Sequence, residues 1–134
     1  MKKIFLFGSL ILSLSAYSAT IKDIKSQVEE ARNSLLVLLK DKTKRGADQQ
    51  KLVKDTADTV SKTFSGLTAP KGKEKQFEEL KSTWEAFKKT REDELVPFIL
   101  KDKQTEAEAI ANGIQKERMG KMKKLIEEIS GSDI

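Results

Sequence analysis

The chain contains neither cysteine nor histidine. Without cysteine no disulfide can form, so packing alone must stabilise the folded state. Without histidine the chain cannot bind haem through an axial imidazole, attach haem through Cys-x-x-Cys-His, or build the Glu-x-x-His pairs of di-iron helix bundles. Nucleophilic triads that use histidine or cysteine are excluded for the same reason. We therefore expect no haem, no metal cofactor and no enzymatic activity.

Proline and glycine are also scarce, whereas charged residues are abundant. Only 2 of the 134 residues are proline and 7 are glycine, but 35% are charged. This composition is typical of long solvated helices and argues against a β-sandwich or a doubly wound sheet. A chain of this length is expected to form one domain.

The one long apolar run lies at the N-terminus and has the form of a bacterial signal peptide. Lys2 and Lys3 precede the apolar segment Ile4–Leu14, and Ala16 and Ser18 supply the small residues that a signal peptidase reads. An uncleaved membrane anchor is the alternative, but eleven helical residues span only roughly 16 Å of a ~30 Å hydrocarbon core. We expect cleavage after residue 18, a folded domain at 19–134, and a periplasmic or secreted protein.

The mature chain is only weakly basic. Removing residues 1–18 lowers the Lys+Arg count from 26 to 24, against 21 Asp+Glu, which leaves a net charge of +3. Charges of both signs alternate along the predicted helices, a pattern typical of a solvated face. Mixed charge and export together argue against nucleic acid as a partner.

Apolar residues recur at intervals of three and four along four stretches of the chain, which is the period of amphipathic helices. The short connections between these stretches favour an all-α fold, an antiparallel up-down-up-down four-helix bundle. The predicted seams are Ile21, Ile24, Val28, Ala31, Leu35 and Leu38 in helix 1; Val53, Ala57, Val60, Phe64 and Leu67 in helix 2; Phe77, Leu80, Trp84 and Phe87 in helix 3; and Ala107, Ile110, Ile114, Met122, Leu125 and Ile129 in helix 4.

Helices 3 and 4 each contain residues that disturb a regular helix. Helix 3 is expected over 73–100 with Pro97 inside it, and proline clashes with the carbonyl four residues back, that of Asp93. We therefore expect a kink or a bulge there. Gly113 and Gly120 fall within predicted helix 4, where each costs about 1 kcal/mol relative to alanine.

Two arginines interrupt the apolar seams. Arg91 lies seven residues after Trp84, and Arg118 lies four after Ile114. A buried guanidinium must be paired, so each arginine either forms an internal ion pair, with Glu94 the partner for Arg91, or reaches the surface. Alternatively, one of them binds a ligand carboxylate through its two-pronged guanidinium. Trp84 would then be an aromatic wall beside the cation, and is otherwise a core residue.

The stretch from Trp84 to Ile129 resembles the four-helix-bundle ligand-binding domain of methyl-accepting chemotaxis receptors. The resemblance rests on Trp84-x-x-Phe87-x-x-x-Arg91, the apolar segment 95–100 and the pattern 107–114 that leads to Arg118. It implies a periplasmic bundle that commonly dimerises and senses small molecules such as amino acids or organic acids. In that family, helix-1 arginines often hold the ligand near the dimer interface, and Arg32 is the corresponding residue here. Receptors flank this bundle with two membrane helices and a cytoplasmic region, whereas this sequence has no second apolar segment. We therefore expect a free-standing module.

Two hypotheses on function follow. In the first, the protein is an exported, non-enzymatic sensory or binding module that binds a small organic anion or amino acid, or docks on a membrane receptor. Its candidate ligand-binding residues are Arg91, Arg118, Trp84 and Arg32, and an internal cavity lined by an unpaired arginine would favour it. In the second, it is a periplasmic protein-interaction or chaperone-like helical factor with a large exposed apolar face.

Overall fold

A computed structural model describes residues 20–131, and the predicted signal peptide at 1–18 lies outside the described residues. This part of the chain is all-helical and contains no strand, as the sequence predicts. The elements are α1 (Ile21–Lys40), a 3₁₀ turn (Lys42–Lys44), α2 (Ala47–Gly66), α3 (Glu74–Thr90), a π-helical segment (Arg91–Leu95), α4 (Val96–Leu100), α5 (Gln104–Asn112) and α6 (Ile114–Ser130). The five elements after α2 form two long interrupted helices, with α3 to α4 as one and α5 to α6 as the other.

The first helix begins where its sequence provides a cap. The Thr20 amide donates to Asp23 Oδ2 at 2.7 Å, and the Asp23 amide donates to Thr20 Oγ1 at 3.3 Å, which is a reciprocal capping box. The predicted seam of α1 is buried from Ile24 to Leu38, and Ile21 is half-buried. Local sequence therefore sets both the start and the buried face of α1.

The buried apolar side chains form two clusters. The larger contains Ile24, Val28, Ala31, Ala57, Val60, Phe64, Phe77, Leu80, Trp84, Phe87, Met119, Met122, Leu125, Ile126 and Ile129, and the smaller contains Leu35, Leu38, Leu39, Val53, Leu95, Ile99 and Ala107. The smaller cluster lies where the C-terminal half of α1 meets α4 and α5. In the helix pairings, α1 packs on α2 and α6, and α3 packs on α6.

The bulge that Pro97 predicts is present. The Val96 amide donates to the carbonyl of Arg91, five residues earlier, so one turn of the helix widens into the π segment just before the proline. The segment absorbs the disturbance that a proline ring causes, and the chain continues as α4 without a non-helical break.

The fourth predicted helix is divided at Gly113. This residue separates α5 from α6, and its backbone angles of φ −101° and ψ −108° leave the helical region. A Cβ added at Gly113 would lie 2.7 Å from the carbonyl oxygen of Ala109. The break is therefore a position at which only glycine fits without a shift of the backbone.

Arg45 joins three elements at the end of the molecule that holds the smaller cluster. Its Nε donates to Leu38 O at 2.7 Å and its Nη2 donates to Leu39 O at 2.7 Å, at the C-terminus of α1. The same side chain donates to Ile99 O at 3.1 Å and to Gln104 Oε1 at 2.8 Å. A cation at this position satisfies unpaired terminal carbonyls and complements the helix dipole. The sequence analysis missed Arg45, since it lies in a loop and no periodicity marks it.

An ion-pair group links α2 to the π segment. Asp58 accepts from Lys54 at 2.6 Å and lies 3.4 Å from Lys88, which also contacts Glu92 at 2.8 Å. The hydrogen bond from Lys54, with a further one from Lys88, lowers the pKa of the Asp58 carboxyl below its ordinary value. These side chains all remain partly or largely in contact with solvent, so their contribution to stability is small.

Between residues 20 and 131 no helix combines the length and apolar character that a membrane span requires.

Candidate functional site

Arg91 is the most deeply buried ionisable residue in the described part of the chain. Only 1% of its surface is exposed, and it opens the π segment. Its Nη1 donates to Ala31 O on α1 at 3.0 Å, and its Nη2 donates to Val53 O on α2 at 2.7 Å. Ala31 belongs to the larger core cluster and Val53 to the smaller one, so the guanidinium lies at their boundary.

The charge on Arg91 has no ionic partner among residues 20–131. The ion pair with Glu94 that the sequence suggested is wrong: Glu94 is exposed, and none of the ion pairs in this part of the chain includes Arg91. Arg91 lies on the buried face, four residues after Phe87, whereas Glu94 lies on the solvent side. Its Nε is also buried without a hydrogen-bond partner among these residues.

Burial of this unpaired charge has an electrostatic consequence. Desolvation lowers the pKa of Arg91 to about 10, and the nearby Glu92 offsets this only in part. The group stays protonated at neutral pH. Of its five N–H donors, two are used by the carbonyls of α1 and α2. The molecule therefore holds a cation with spare donor capacity inside its core.

Arg91 forms part of the lining of a pocket of about 390 Å³ between α1, the π segment and the α5–α6 break. This volume is within the range of small-molecule sites. The lining residues are Arg32, Leu35, Leu36, Phe87, Arg91, Leu95, Ala111, Asn112, Gln115, Lys116, Met119, Gly120 and Lys123. We call this space the Arg91 pocket. It contains four cationic side chains and no carboxylate.

Two helix irregularities border the Arg91 pocket from opposite sides. On one side, Phe87, Arg91 and Leu95 are spaced four residues apart, and the widened π turn keeps all three on the inner face. On the other side, Asn112 and Gln115 flank the break at Gly113. π-Bulges inside α-helices are frequent at functional sites.

Arg32 lies at the exposed rim of the Arg91 pocket. It follows Ala31, whose carbonyl accepts from Arg91, so α1 brings the two arginines to one site. Lys116 and Lys123 on α6 are also exposed and complete the cationic rim. Of the four residues suggested by the sequence, Arg91 and Arg32 are therefore brought together. The sequence analysis did not identify Lys116 and Lys123 as site residues, because alternating charge is ordinary on a helix.

Trp84 and Arg118 lie elsewhere. The Trp84 side chain is 1% exposed within the larger cluster, and its Nε1 donates to Ser61 Oγ at 3.0 Å. Arg118 is only half-buried; it donates to Thr90 Oγ1 at 2.8 Å and to Gln115 Oε1 at 2.9 Å, and it borders a separate shallow groove of about 330 Å³. Neither residue lines the Arg91 pocket.

The predicted seam of α6 is confirmed at Met122, Leu125 and Ile129, which are buried, and differs from the structure just after the break at Gly113. Continuing the seam of α5 would bury Ile114 and Arg118, but Ile114 is 43% exposed, and the buried positions are Gln115 and Met119. The placement of Ile114 and Arg118 on the seam is therefore wrong: after the break, the buried face of α6 begins at Gln115. The buried Gln115 donates to Phe87 O at 2.9 Å and so ties α6 to α3 beside the pocket.

The described residues contain no group of three or more Asp, Glu, His or Cys side chains that could hold a metal ion. No family model, curated protein or solved structure matches the chain.

Proposed function

We propose that this protein is an exported, non-enzymatic binding module, built as an antiparallel up-down-up-down four-helix bundle, that binds a small anion in the Arg91 pocket. The observation that carries the proposal is the buried charge of Arg91, which has no ionic partner among residues 20–131 and belongs to a residue that lines a pocket without a carboxylate. The bundle arrangement is supported by the pairing of α1 with α2 and of α3 with α6, and by short connections between successive helices.

A buried charge without a counter-ion is costly for a protein that has no use for it. Burying a guanidinium requires its desolvation, and the two carbonyl acceptors of Arg91 carry no net charge. An anionic ligand would supply the missing charge and would accept from the spare N–H donors. The desolvation that lowers the pKa of Arg91 has already occurred in the folded protein, so part of the cost of binding is met before the ligand arrives.

The rim favours the same ligand charge. Arg32, Lys116 and Lys123 surround the mouth of the pocket with positive charge, which raises the local concentration of anions and increases their association rate. These three side chains are exposed, so their attraction falls as salt screens it. Arg91 is buried and is screened much less.

The alternative, a protein-interaction factor, would be favoured by a contiguous exposed apolar face. The large apolar side chains exposed between residues 20 and 131 are Val37, Leu52, Leu100 and Ile114. They come from four different helices, α1, α2, α4 and α6 respectively. No single apolar helix face supports this alternative over the anion site.

A thermal-shift screen of the purified protein against carboxylic acids, amino acids and phosphate tests the proposal. A ligand at ten times its Kd stabilises the fold by about 1.4 kcal/mol, which raises Tm by about 3–8 °C. We expect the rise to disappear in Arg91→Met and to persist in Lys121→Met, a variant that removes an exposed cation of α6 that does not line the pocket. Equal rises in both variants would contradict an Arg91 site, and silence across the library would count against anion binding altogether.

A further inference from the structure

The side chains of the Arg91 pocket restrict the ligand beyond its negative charge. Its lining holds four cations and two amides, Asn112 and Gln115, but no aspartate or glutamate. An α-amino acid carries an ammonium group next to its carboxylate. With the carboxylate at Arg91, that ammonium would lie among the remaining cations without an acidic partner, and like charges at short range repel. The charge distribution therefore disfavours amino acids.

The remaining wall of the pocket is apolar. It is formed by aliphatic, aromatic and thioether side chains: Leu35, Leu36, Phe87, Leu95, Ala111 and Met119. A strongly hydrated inorganic anion such as phosphate would lose water against this wall without gaining hydrogen bonds from it. An apolar group would instead be stabilised there by the area that it removes from water.

Resting on the proposed anion site, we infer that the Arg91 pocket takes a hydrophobic carboxylic acid without an amino group, of the aromatic or branched aliphatic class. The carboxylate lies at Arg91, and the apolar body lies against Phe87, Leu95 and Met119. The methionine is suited to this wall because its flexible thioether adapts to irregular apolar shapes and contacts aromatic rings favourably.

The test compares compounds that share one apolar body and differ in charge. Isothermal titration of the full-length protein with 3-phenylpropanoate, its methyl ester, L-phenylalanine and inorganic phosphate isolates each requirement. We expect 3-phenylpropanoate to bind at least about tenfold more tightly than L-phenylalanine, because only the amino acid brings an unpaired ammonium. The ester should not bind detectably, since it lacks the charge that Arg91 requires. This comparison needs no protein variant, so a folding defect cannot obscure it.

Protein variants then locate the binding. In Arg91→Met the affinity for 3-phenylpropanoate should fall at least about tenfold, and in Lys121→Met, which changes an exposed cation outside the pocket lining, it should stay the same. Equal or tighter binding of L-phenylalanine or phosphate, dependent on Arg91, would overturn the inferred ligand class while leaving the anion site in place. Tight binding of the ester would also overturn the inferred ligand class, because the pocket would then bind the apolar body without requiring a negative charge. If none of the anions binds at up to about 10 mM, both the ligand class and the proposed function are refuted.

Discussion

Replacing Arg91 with methionine should change the stability of the protein very little, although the residue is almost fully buried. Arginine has an ordinary pKa above 12, and burial lowers that of Arg91 to about 10. Each tenfold change in a proton-binding constant corresponds to about 1.4 kcal/mol. Keeping the charge in the core therefore costs about 3 kcal/mol at neutral pH, and methionine, an unbranched apolar residue, removes this cost.

The same substitution loses two hydrogen bonds. Bonds to a charged group contribute about 1.5–3 kcal/mol each, and the lower end applies here, because neither acceptor is left without a partner. Ala31 O also accepts from Ser34 Oγ at 2.8 Å, and Val53 O also accepts from Thr56 Oγ1 at 3.2 Å. The loss is thus about 3 kcal/mol, which offsets the gain. We expect the free energy of unfolding of Arg91→Met to lie within about 1 kcal/mol of that of the original protein.

Arg45→Met provides a comparison for Arg91→Met. Arg45 is less buried than Arg91, with 12% of its side chain exposed, but it holds four acceptors across three elements, and the Asp102 carboxylate lies 3.5 Å from its Nη1. Its removal frees the carbonyl of Leu38, although Leu39 O still accepts from Gln104 Nε2 at 3.0 Å and Ile99 O still accepts from the Asp102 amide at 3.0 Å. With four hydrogen bonds lost, the substitution should cost about 3–5 kcal/mol. Arg45, the less buried arginine, is therefore expected to contribute more to stability than Arg91.

Urea unfolding of the original protein and both variants at pH 7, followed by helical circular dichroism, measures these differences. A loss of more than about 3 kcal/mol in Arg91→Met would refute the reasoning, because the guanidinium would then be a structural link between α1 and α2. A small loss, together with the loss of anion binding, would mean that the charge is retained for its ligand.

Two further predictions concern the helix break and the surface charges. Gly113→Ala should lower the free energy of unfolding by about 1–3 kcal/mol, because the added Cβ meets a backbone carbonyl at 2.7 Å. Gly120→Ala meets nothing within 4 Å and should raise the free energy of unfolding by up to about 1 kcal/mol. Equal effects of the two substitutions in urea unfolding would contradict this account of the break. Asp58→Asn should cost less than about 1 kcal/mol at pH 7. The Asp58 carboxyl has a lowered pKa in the folded state, so its contribution is present above the ordinary carboxyl pKa and is lost as the pH falls through the lowered value. A cost that survives at that acidic pH, or in 1 M salt, would contradict an electrostatic origin.

Much of the site could be anticipated from residues that act locally. The three-four spacing in α1 and α2 indicated their buried faces, and Pro97 indicated a bulge, because its missing amide disturbs the turn before it whatever surrounds that turn. Arg91 was recognisable as a charge on an apolar seam. That it is buried rather than turned toward solvent was not recognisable, since this depends on carbonyls 38 and 60 residues away in the chain.

The sequence by itself determined the all-helical class and the main helix seams, and it marked Arg91 as a candidate site residue, because periodicity, proline geometry and composition act over a few residues. Tertiary structure alone decided that Arg91 lacks a counter-ion among residues 20–131, that Arg32 shares its pocket, and that Trp84 and Arg118 do not. It also decided, through the break at Gly113, which side chains of α6 turn inward. The physical reason is that burial, desolvation and the pairing of charges belong to groups that are distant in sequence and meet only when the helices pack.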